Sequence, residues 1–250
     1  MNNPSRPLET PLRVIIVGAS SGIGRALAVQ YAASGARVAA LARRADVLAS
    51  LSAEQPTIQT YAHDVTDFDA VPALFQQICR DLDGLDLIVY VAGVQPQVAE
   101  NEYNFEKDRA MIETNLLGAM AWLNPAALRF ERAGRGHIVG VSSVAGDRGR
   151  SAFPGYHTSK GGLSIYLESL RNRIAKRGCT VTTIKPGFVQ TRLLENAAKT
   201  FWVITPDDAA RQIREAVAGK KQVVYTPARW RLVMLIIMHI PSFVFRRLSI

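Results

Sequence analysis

The 250-residue chain has few cysteines, no long apolar run and fewer acidic than basic residues. Its two cysteines, Cys79 and Cys179, are too few for a disulfide framework or a zinc cluster and suit a reducing compartment. The opening stretch MNNPSRPLETPLR lacks the apolar core of a signal peptide, so we expect a cytoplasmic protein. A mean hydropathy of +0.05 is typical of a globular domain and excludes a disordered or collagen-like chain.

The shortage of acidic residues is greatest near the end of the chain. Lys and Arg number 30 against 21 Asp and Glu, and from residue 211 onward eight bases accompany one acid, Glu215. Basic segments often meet nucleic acid or anionic lipid. Because no aromatic platform or recognition-helix pattern accompanies these bases, we expect no nucleic-acid partner. The apolar residues around them favour a membrane surface or an anionic substrate.

Short apolar runs alternate with longer helical stretches along the chain. The pattern predicts helices near residues 25–34, 71–82, 105–132, 156–176 and 206–218, and strands at 14–17, 38–41, 58–62, 87–92, 138–141, 181–184 and 223–225. This alternation predicts an α/β fold: a single doubly wound, Rossmann-type parallel sheet of about seven strands with helices on both faces.

The first predicted strand leads into a glycine-rich loop and then a helix, with the sequence Gly18-Ala19-Ser20-Ser21-Gly22-Ile23-Gly24. Glycines permit a tight turn and let a pyrophosphate approach the free amides at the start of the helix. A plain structural turn is the alternative. The place of the loop after the first strand of a βαβ unit favours dinucleotide binding.

Tyr156 and Lys160 are spaced so that they share one face of a predicted helix. At about 5 Å and an effective dielectric constant of ~20, their charges interact by roughly 3 kcal/mol, or about 2 pH units. We therefore predict that Lys160 lowers the pKa of the Tyr156 phenol toward neutral and makes it an acid–base group. The alternative, a solvated pair on a surface helix, is disfavoured by Asn115, Ser143 and the glycine loop.

Taken together, motifs between Gly18 and Thr191 resemble the classical short-chain dehydrogenase/reductase family. They are the glycine loop, Asp64-Val65, Ala92-Gly93, Asn115, Ser143, Tyr156-x-x-x-Lys160 and Pro186-Gly187-Phe188-Val189-Gln190-Thr191. The resemblance implies that cofactor is bound by Gly18, Ser20, Ser21, Gly22, Ile23, Gly24, Asp64, Val65, Ala92, Gly93, Tyr156, Lys160, Pro186, Gly187, Val189 and Thr191. Val17 and Tyr90-Val91 replace the usual Thr and Asn-Asn, so we expect altered bracing of the loops around the cofactor.

The same resemblance implies a role for each catalytic residue. Ser143 hydrogen-bonds the substrate carbonyl, Tyr156 exchanges a proton with it, Lys160 also binds the nicotinamide ribose, and Asn115 holds a water. Hydride passes directly between cofactor and substrate, so no metal is implied. A small-molecule or lipid-linked carbonyl or alcohol and a homodimer or homotetramer are the implied partners. The alternative class is a non-catalytic dinucleotide-binding sensor or scaffold, which typically lacks the Tyr or the Lys.

The end of the second predicted strand bears on the choice of nicotinamide cofactor. Family members that prefer NAD commonly carry an acidic residue there, whereas this chain has Ala42 followed by Arg43 and Arg44. A guanidinium fork can hold a 2′-phosphate. We therefore predict NADP(H) over NAD(H), with Arg43 on the phosphate. Arg44 either joins it or is a solvated charge at the start of a helix.

The last segment of the chain is both basic and apolar. Its uninterrupted apolar run, residues 232–238, is too short to span a membrane, and Pro241 interrupts the segment. Two interpretations stay open: a helix packed on the domain or a neighbouring subunit, and an interfacial anchor with Trp230 and Phe243 among the lipid headgroups. We expect a flexible segment at 1–12, a dinucleotide-binding catalytic domain at 13–227 and this tail at 228–250.

Residues 138–150 and the tail also resemble the decaprenylphosphoryl-2-keto-ribose reductases, which act on a polyprenyl-phosphate sugar at the membrane. That resemblance implies a keto-reductase associated with the inner face of the membrane. Arg148 and Arg150 then either receive an anionic phosphate or lie in a solvated loop. We expect a substrate lid at residues 192–200. Nearby apolar side chains form a pocket wall or ordinary core: Leu193, Leu194, Phe201, Trp202 and Val203.

Overall fold

A seven-stranded parallel sheet forms the centre of the computed structural model, which describes residues 11–99, 101–196 and 200–248. The strand order is β3-β2-β1-β4-β5-β6-β7. The strands are β1 (Arg13–Val17), β2 (Arg37–Ala42), β3 (Ile58–Ala62), β4 (Leu87–Tyr90), β5 (His137–Val141), β6 (Thr180–Pro186) and β7 (Val223–Thr226). The predicted fold class is therefore confirmed. The predicted flexible segment at 1–12 lies outside the described residues except for its last two.

Helices cover both faces of the sheet. Their bounds are α1 (Gly22–Ala33), α2 (Ala45–Glu54), α3 (Val71–Asp81), α4 (Phe105–Ile112), α5 (Gly118–Ala133), α6 (Pro154–Ile174), α7 (Pro206–Ala218), α8 (Trp230–His239) and α9 (Ser242–Phe245). Apolar side chains of α1, α2 and α7 form the core on one face, and those of α3, α5 and α6 form the core on the other.

The central strands are apolar on both sides because both sides are covered. In β1, Ile15 and Val17 point into one core while Val14 and Ile16 point into the other, and all four are fully buried. Continuous Val and Ile runs therefore form strands here without the polar alternation of a half-exposed sheet.

The stretch predicted as helical at 105–132 is helical throughout, but its hydrogen-bond pattern changes near the middle. A π-helical turn, Glu113–Leu117, separates α4 from α5. Tyr90 explains the position of this turn, since its hydroxyl donates a hydrogen bond of 2.5 Å to the carbonyl of Thr114. A side chain on Gly118 would also lie 2.5 Å from that hydroxyl. The predicted helical stretch is confirmed, and only the π-helical turn within it went unpredicted, because hydrophobic spacing carries no information about a tyrosine on a distant strand.

The strand order reverses between β1 and β4, where parallel α/β sheets form a ligand crevice at the carboxyl ends of the strands. The predicted strand at 87–92 stops at Tyr90 because the next two amides, of Val91 and Ala92, both turn to the carbonyl of Val17. This turn opens the crevice directly beside the glycine loop.

The tail packs on the domain through one face of α8. Trp230 and Met234 are buried there against Val144. Arg148 fastens the far end of the helix, since its guanidinium donates to the carbonyls of Ile237 and Ile240, each at 2.6 Å. Cationic groups stabilise the carbonyl end of a helix in this way. In the described ranges, none of the helices has the length and apolar character needed to cross a bilayer.

A two-pronged ion pair ties the start of β1 to the residue before β4. The Arg13 guanidinium donates to both carboxylate oxygens of Asp86, at 2.8 and 2.7 Å, and both side chains are largely shielded from water. This hydrogen-bonded pairing holds the pKa of Asp86 below its usual value. Because the unfolded carboxyl takes up its proton at a higher pH, the pair stabilises the fold above that pH and the benefit disappears as the pH falls.

We predict that Asp86→Asn lowers the free energy of unfolding by about 1–3 kcal/mol at pH 7. Denaturant unfolding of both proteins from pH 7 downward should show this difference shrinking as the wild-type carboxyl becomes protonated. Glu215→Gln, which breaks an exposed pair with Arg211, serves as the control and should change stability little. A difference that is constant with pH would contradict the assignment.

Candidate active site

The glycine loop after β1 packs so closely on neighbouring backbone that two of its positions have no room for a side chain. Gly18 has φ +103°, and a Cβ there would lie 2.5 Å from the backbone nitrogen of Ala92. A Cβ on Gly24 would lie 2.1 Å from the carbonyl oxygen of Gly18. The loop therefore forms a cradle of bare backbone at the start of α1, where free amides attract a pyrophosphate. These residues fit a dinucleotide.

The opposite wall of this cradle comes from the segment after β6. A Cβ on Gly22 would lie 2.8 Å from the Cγ2 atom of Thr191, so the two predicted motifs face each other across a narrow gap. Val189, two residues before Thr191, pairs with Ile204 in an isolated parallel bridge. The motifs at 18–24 and 186–191 thus converge at one edge of the sheet.

The two arginines after β2 have different neighbours. Arg44 donates to the hydroxyls of Ser20 and Ser21, at 2.8 and 3.2 Å, and so reaches over the glycine loop. Arg43 instead lies 3.6 Å from the carboxylate of Asp64 in an exposed pair. Sequence reasoning favoured Arg43 for a 2′-phosphate, but the guanidinium placed against the loop is that of Arg44.

The residues after β3 and β4 border the same crevice. Asp64 accepts hydrogen bonds from the amide and hydroxyl of Thr66, at 3.0 and 2.8 Å. Although burial opposes the effect, these bonds and Arg43 hold the pKa of Asp64 below its usual value. Val65 is buried beside it. A Cβ on Gly93 would lie 3.4 Å from the Lys160 amine, so the Ala92-Gly93 turn leads to the predicted catalytic residues.

Ser143 and Tyr156 meet at the carboxyl end of β5. The Ser143 hydroxyl begins the 3₁₀ turn Val144–Gly146 by accepting from the amide of Ala145 at 3.1 Å, and it lies 3.5 Å from the Pro186 carbonyl oxygen. The half-buried Tyr156 lies close enough for the Ser143 hydroxyl to act on it and lower the pKa of its phenol. Two hydroxyls so arranged can hold one carbonyl oxygen between them and pass it a proton.

Lys160 is buried one turn further along α6. Its ammonium donates to the Val141 carbonyl at 3.0 Å and lies 5.9 Å from the centre of the Tyr156 ring. The predicted proximity of the two side chains is confirmed. Burial lowers the pKa of Lys160 to about 8.

The predicted fall of the Tyr156 pKa toward neutral is wrong. Burial raises the pKa of this phenol above its ordinary value, and the hydrogen bond with Ser143 and the positive charge of Arg150 only partly oppose the rise. Taking the charged form out of water therefore has the larger effect. The cation that acts on the phenol is Arg150, a residue that sequence reasoning assigned to an anionic phosphate or a solvated loop.

Asn115 lies fully buried in the π-helical turn and joins three elements. Its Oδ1 atom accepts from the amide of Val94 at 2.7 Å, while its Nδ2 atom donates to the Val94 carbonyl and to Ser159, both at 3.0 Å. The side chain thus braces the segment after β4 against α6. Tyr90, one of the two departures from the family pattern, braces the same turn through Thr114.

His157 and Ser142 support the catalytic groups and were not predicted as site residues. His157 is buried and shares a hydrogen bond of 2.6 Å with the Ala145 carbonyl, which holds the turn after Ser143. Ser142 donates to the Lys160 carbonyl at 2.8 Å and so joins β5 to α6. The place of His157 inside the Tyr156-to-Lys160 motif was the available signal.

The structure separates the two arginines proposed for a substrate phosphate. Arg148 is committed to the tail, since its guanidinium also lies 4.0 Å above the Phe245 ring. The predicted lid at 192–200 begins as the 3₁₀ helix Arg192–Asn196, and residues 197–199 lie outside the described residues. Among the apolar residues placed in a pocket wall or core, Phe201, Trp202 and Val203 are exposed rather than core.

Comparison with known proteins places the chain among oxidoreductases. The family model described as short chain dehydrogenase matches residues 13–201. An uncharacterised oxidoreductase of Myxococcus xanthus is 36% identical over 224 residues, which is 87% of this chain and 87% of that protein. One of Mycobacterium tuberculosis is 33% identical over 220 residues, or 84% of this chain and 85% of its own.

Solved structures share the same fold. A short-chain dehydrogenase from Streptomyces avermitilis has a TM-score of 0.77 at 24% identity, covering 87% of this chain and 88% of its own. ElxO, in a structure with NADP bound, has a TM-score of 0.78 at 22% identity, covering 86% of this chain and 97% of its own. With a family model matched over most of its length, this chain belongs to the short-chain dehydrogenase/reductase family of oxidoreductases.

Proposed function

We propose that the protein is an NADP(H)-dependent reductase that interconverts a carbonyl and a secondary alcohol. One observation carries this proposal: Ser143, Tyr156 and the buried amine of Lys160 come together beside a cradle of bare backbone. A bound nicotinamide dinucleotide would supply or accept the hydride. The same grouping argues against a non-catalytic sensor or scaffold.

The residues of this chain divide the remaining work. Ser143 and Tyr156 hold the carbonyl oxygen, and Tyr156 gives that oxygen its proton. Because burial raises the Tyr156 pKa, the phenol keeps its proton at neutral pH, which suits the donor in reduction. Lys160 holds positive charge one turn away and would bind the nicotinamide ribose. Asn115 fixes the backbone around Lys160, and we propose that it also holds a water there.

The preference for NADP(H) rests on the cationic end of β2. No carboxylate follows this strand at Ala42, and Arg44 reaches the two serines of the glycine loop. Arg43, paired with Asp64, adds a second positive charge nearby. ElxO, which shares the fold of this chain, has been solved with NADP bound, and this supports the same cofactor here.

The finer features of substrate and assembly belong to the same proposal. We propose a small-molecule carbonyl or alcohol as substrate, with a lipid-linked keto-sugar as the second candidate. We also propose that the protein assembles as a homodimer or homotetramer. We place it in the cytoplasm, with peripheral contact at the inner face of the membrane. Consumption of NADPH with carbonyl compounds from small ketones to lipid-linked keto-sugars would identify the substrate class.

Tyr156→Phe should lower kcat by at least ~100-fold, because the ring keeps its place but has no proton to give. Binding of NADPH, followed by the change in its fluorescence, should be retained. Tyr166→Phe removes a hydroxyl that bonds Asn124 on the outside of the same helix and should leave kcat unchanged. Substantial reductase activity in the Tyr156 variant would contradict its role as proton donor.

Arg44→Gln should raise the KM for NADPH by roughly 10- to 100-fold, because a charged hydrogen bond to the 2′-phosphate would be lost. The KM for NADH, which has no 2′-phosphate, should be nearly unchanged. Arg25→Gln, which breaks the exposed pair between Arg25 of α1 and Glu54 of α2, is the matched control. Steady-state kinetics with both cofactors measures the effect. A wild-type enzyme that prefers NADH would refute the cofactor assignment.

Arg150→Gln should move the pH dependence of alcohol oxidation to higher pH by roughly one pH unit. Oxidation needs the ionised phenol, and removing a nearby positive charge makes that form harder to reach. Profiles of kcat/KM against pH for the wild type and the variant give the shift. Arg173→Gln, on the exposed side of α6, should leave the profile in place, and an unmoved profile in Arg150→Gln would remove this residue from the site.

A further inference from the structure

We propose that the outer face of the tail, together with residues 201–203, is a docking surface for an anionic lipid bilayer. The tail helix α8 is apolar except for Arg231 and His239, yet only one side of it is covered. A contiguous apolar patch left exposed on a folded protein is typical of an interaction surface. On the inner side, Trp230 and Met234 are buried against Val144 of the domain. The outer side has no such covering within the part of the chain that the structure describes, so we assign it a partner.

The uncovered side chains point away from the domain. Leu232 is 64% exposed and Ile236 is 60% exposed, and Leu235 lies beside them on the same helical face. In α9, Phe243 is 62% exposed. These four residues form the apolar part of the surface, which we name the outer tail face.

The exposed aromatic residues near the predicted lid belong to the same surface. Phe201 and Trp202 each pack against Trp230, with ring centres 5.1 and 5.7 Å apart. Arg229 lies 4.5 Å above the Trp202 ring and joins the two segments. Tryptophan and arginine side chains, each with an apolar body and a polar end, are common at membrane interfaces.

The charge around the outer tail face selects the partner. Residues 228–250 contain four arginines and no acidic residue: Arg229, Arg231, Arg246 and Arg247. A second copy of the chain, related by two-fold symmetry, would bring these like charges together. Anionic headgroups instead pair with each of them while the apolar side chains enter the acyl boundary.

The geometry of the attachment suits a surface rather than a span. Helix α8 has 10 residues, about half of what a bilayer requires. Arg148 holds the carbonyl end of α8 to the domain, so the outer tail face has a fixed orientation relative to the domain. The docking surface includes residues 201–203, next to the predicted lid. Binding to a bilayer would therefore also place the mouth of the crevice at the lipid surface, a consequence that rests on the proposed function.

Flotation with vesicles tests the proposal on the full chain. The wild type should float with vesicles of phosphatidylcholine mixed with phosphatidylglycerol, and far less with phosphatidylcholine alone or at high salt. The triple variant Leu232→Gln/Ile236→Gln/Phe243→Gln should lose binding by at least ~10-fold. Arg246→Gln/Arg247→Gln should lose it by a similar factor, since each arginine near the surface contributes roughly fivefold.

Matched controls alter comparable residues elsewhere on the surface. Ile165→Gln changes a side chain that is 67% exposed on α6, and Lys176→Gln/Arg177→Gln removes two adjacent bases beyond that helix. Both controls should float as the wild type does. Thermal melts establish that every variant is folded, which is expected because the altered side chains face solvent.

Three results would overturn the proposal. In the first, the wild type would float no better with anionic vesicles than without them. In the second, the controls would lose binding as much as the tail variants do. In the third, vesicles would not bind, and the triple variant would differ from the wild type in the mass measured by sedimentation. The last result would assign the outer tail face to a second copy. NADPH consumption with a small ketone, measured without vesicles, should be unchanged in the tail variants, so failure of the docking surface and failure of the proposed reductase are seen separately.

Discussion

The buried ammonium of Lys160 is the constraint on which the site depends. Its pKa falls from 10.5 to about 8, which corresponds to roughly 3 kcal/mol against the charged form. The ammonium donates to the Val141 carbonyl, and Ser142 holds the backbone of Lys160 itself. Asn115 bonds the neighbouring Ser159, and the space beside the amine is so narrow that a Cβ on Gly93 would lie 3.4 Å from it. Contacts from β5 and the π-helical turn, with the close approach of the segment after β4, therefore keep a costly charge in place.

Much of the fold and the position of the site could be predicted because both are written in local patterns. Runs of Val and Ile indicated the seven strands, and the glycine loop indicated where β1 passes into α1. Parallel strands place their carboxyl ends at one edge, and motifs as distant as Gly22 and Thr191 meet there.

What sequence could not supply was the direction of side chains across the fold. The π-helical turn depends on Tyr90, and the sign of the Tyr156 pKa shift depends on how much water burial removes. Nothing in the residue pattern distinguished Arg148, which turns to the tail, from Arg150, which lies near the phenol. Periodicity defines which face a residue occupies, whereas these outcomes depend on tertiary neighbours.

The attachment of α8 has a consequence for how far the inner face of the tail can change by itself. Trp230 is packed so tightly on Gly187 that a Cβ there would lie 1.9 Å from the indole nitrogen, and Arg148, five residues beyond Ser143, is spent on the last carbonyls of the helix. The inner face of the tail thus forms part of the wall beside the candidate site. A tail with different residues on that face would leave Gly187 and Arg148 without these contacts, so the two loops and the inner face depend on one another.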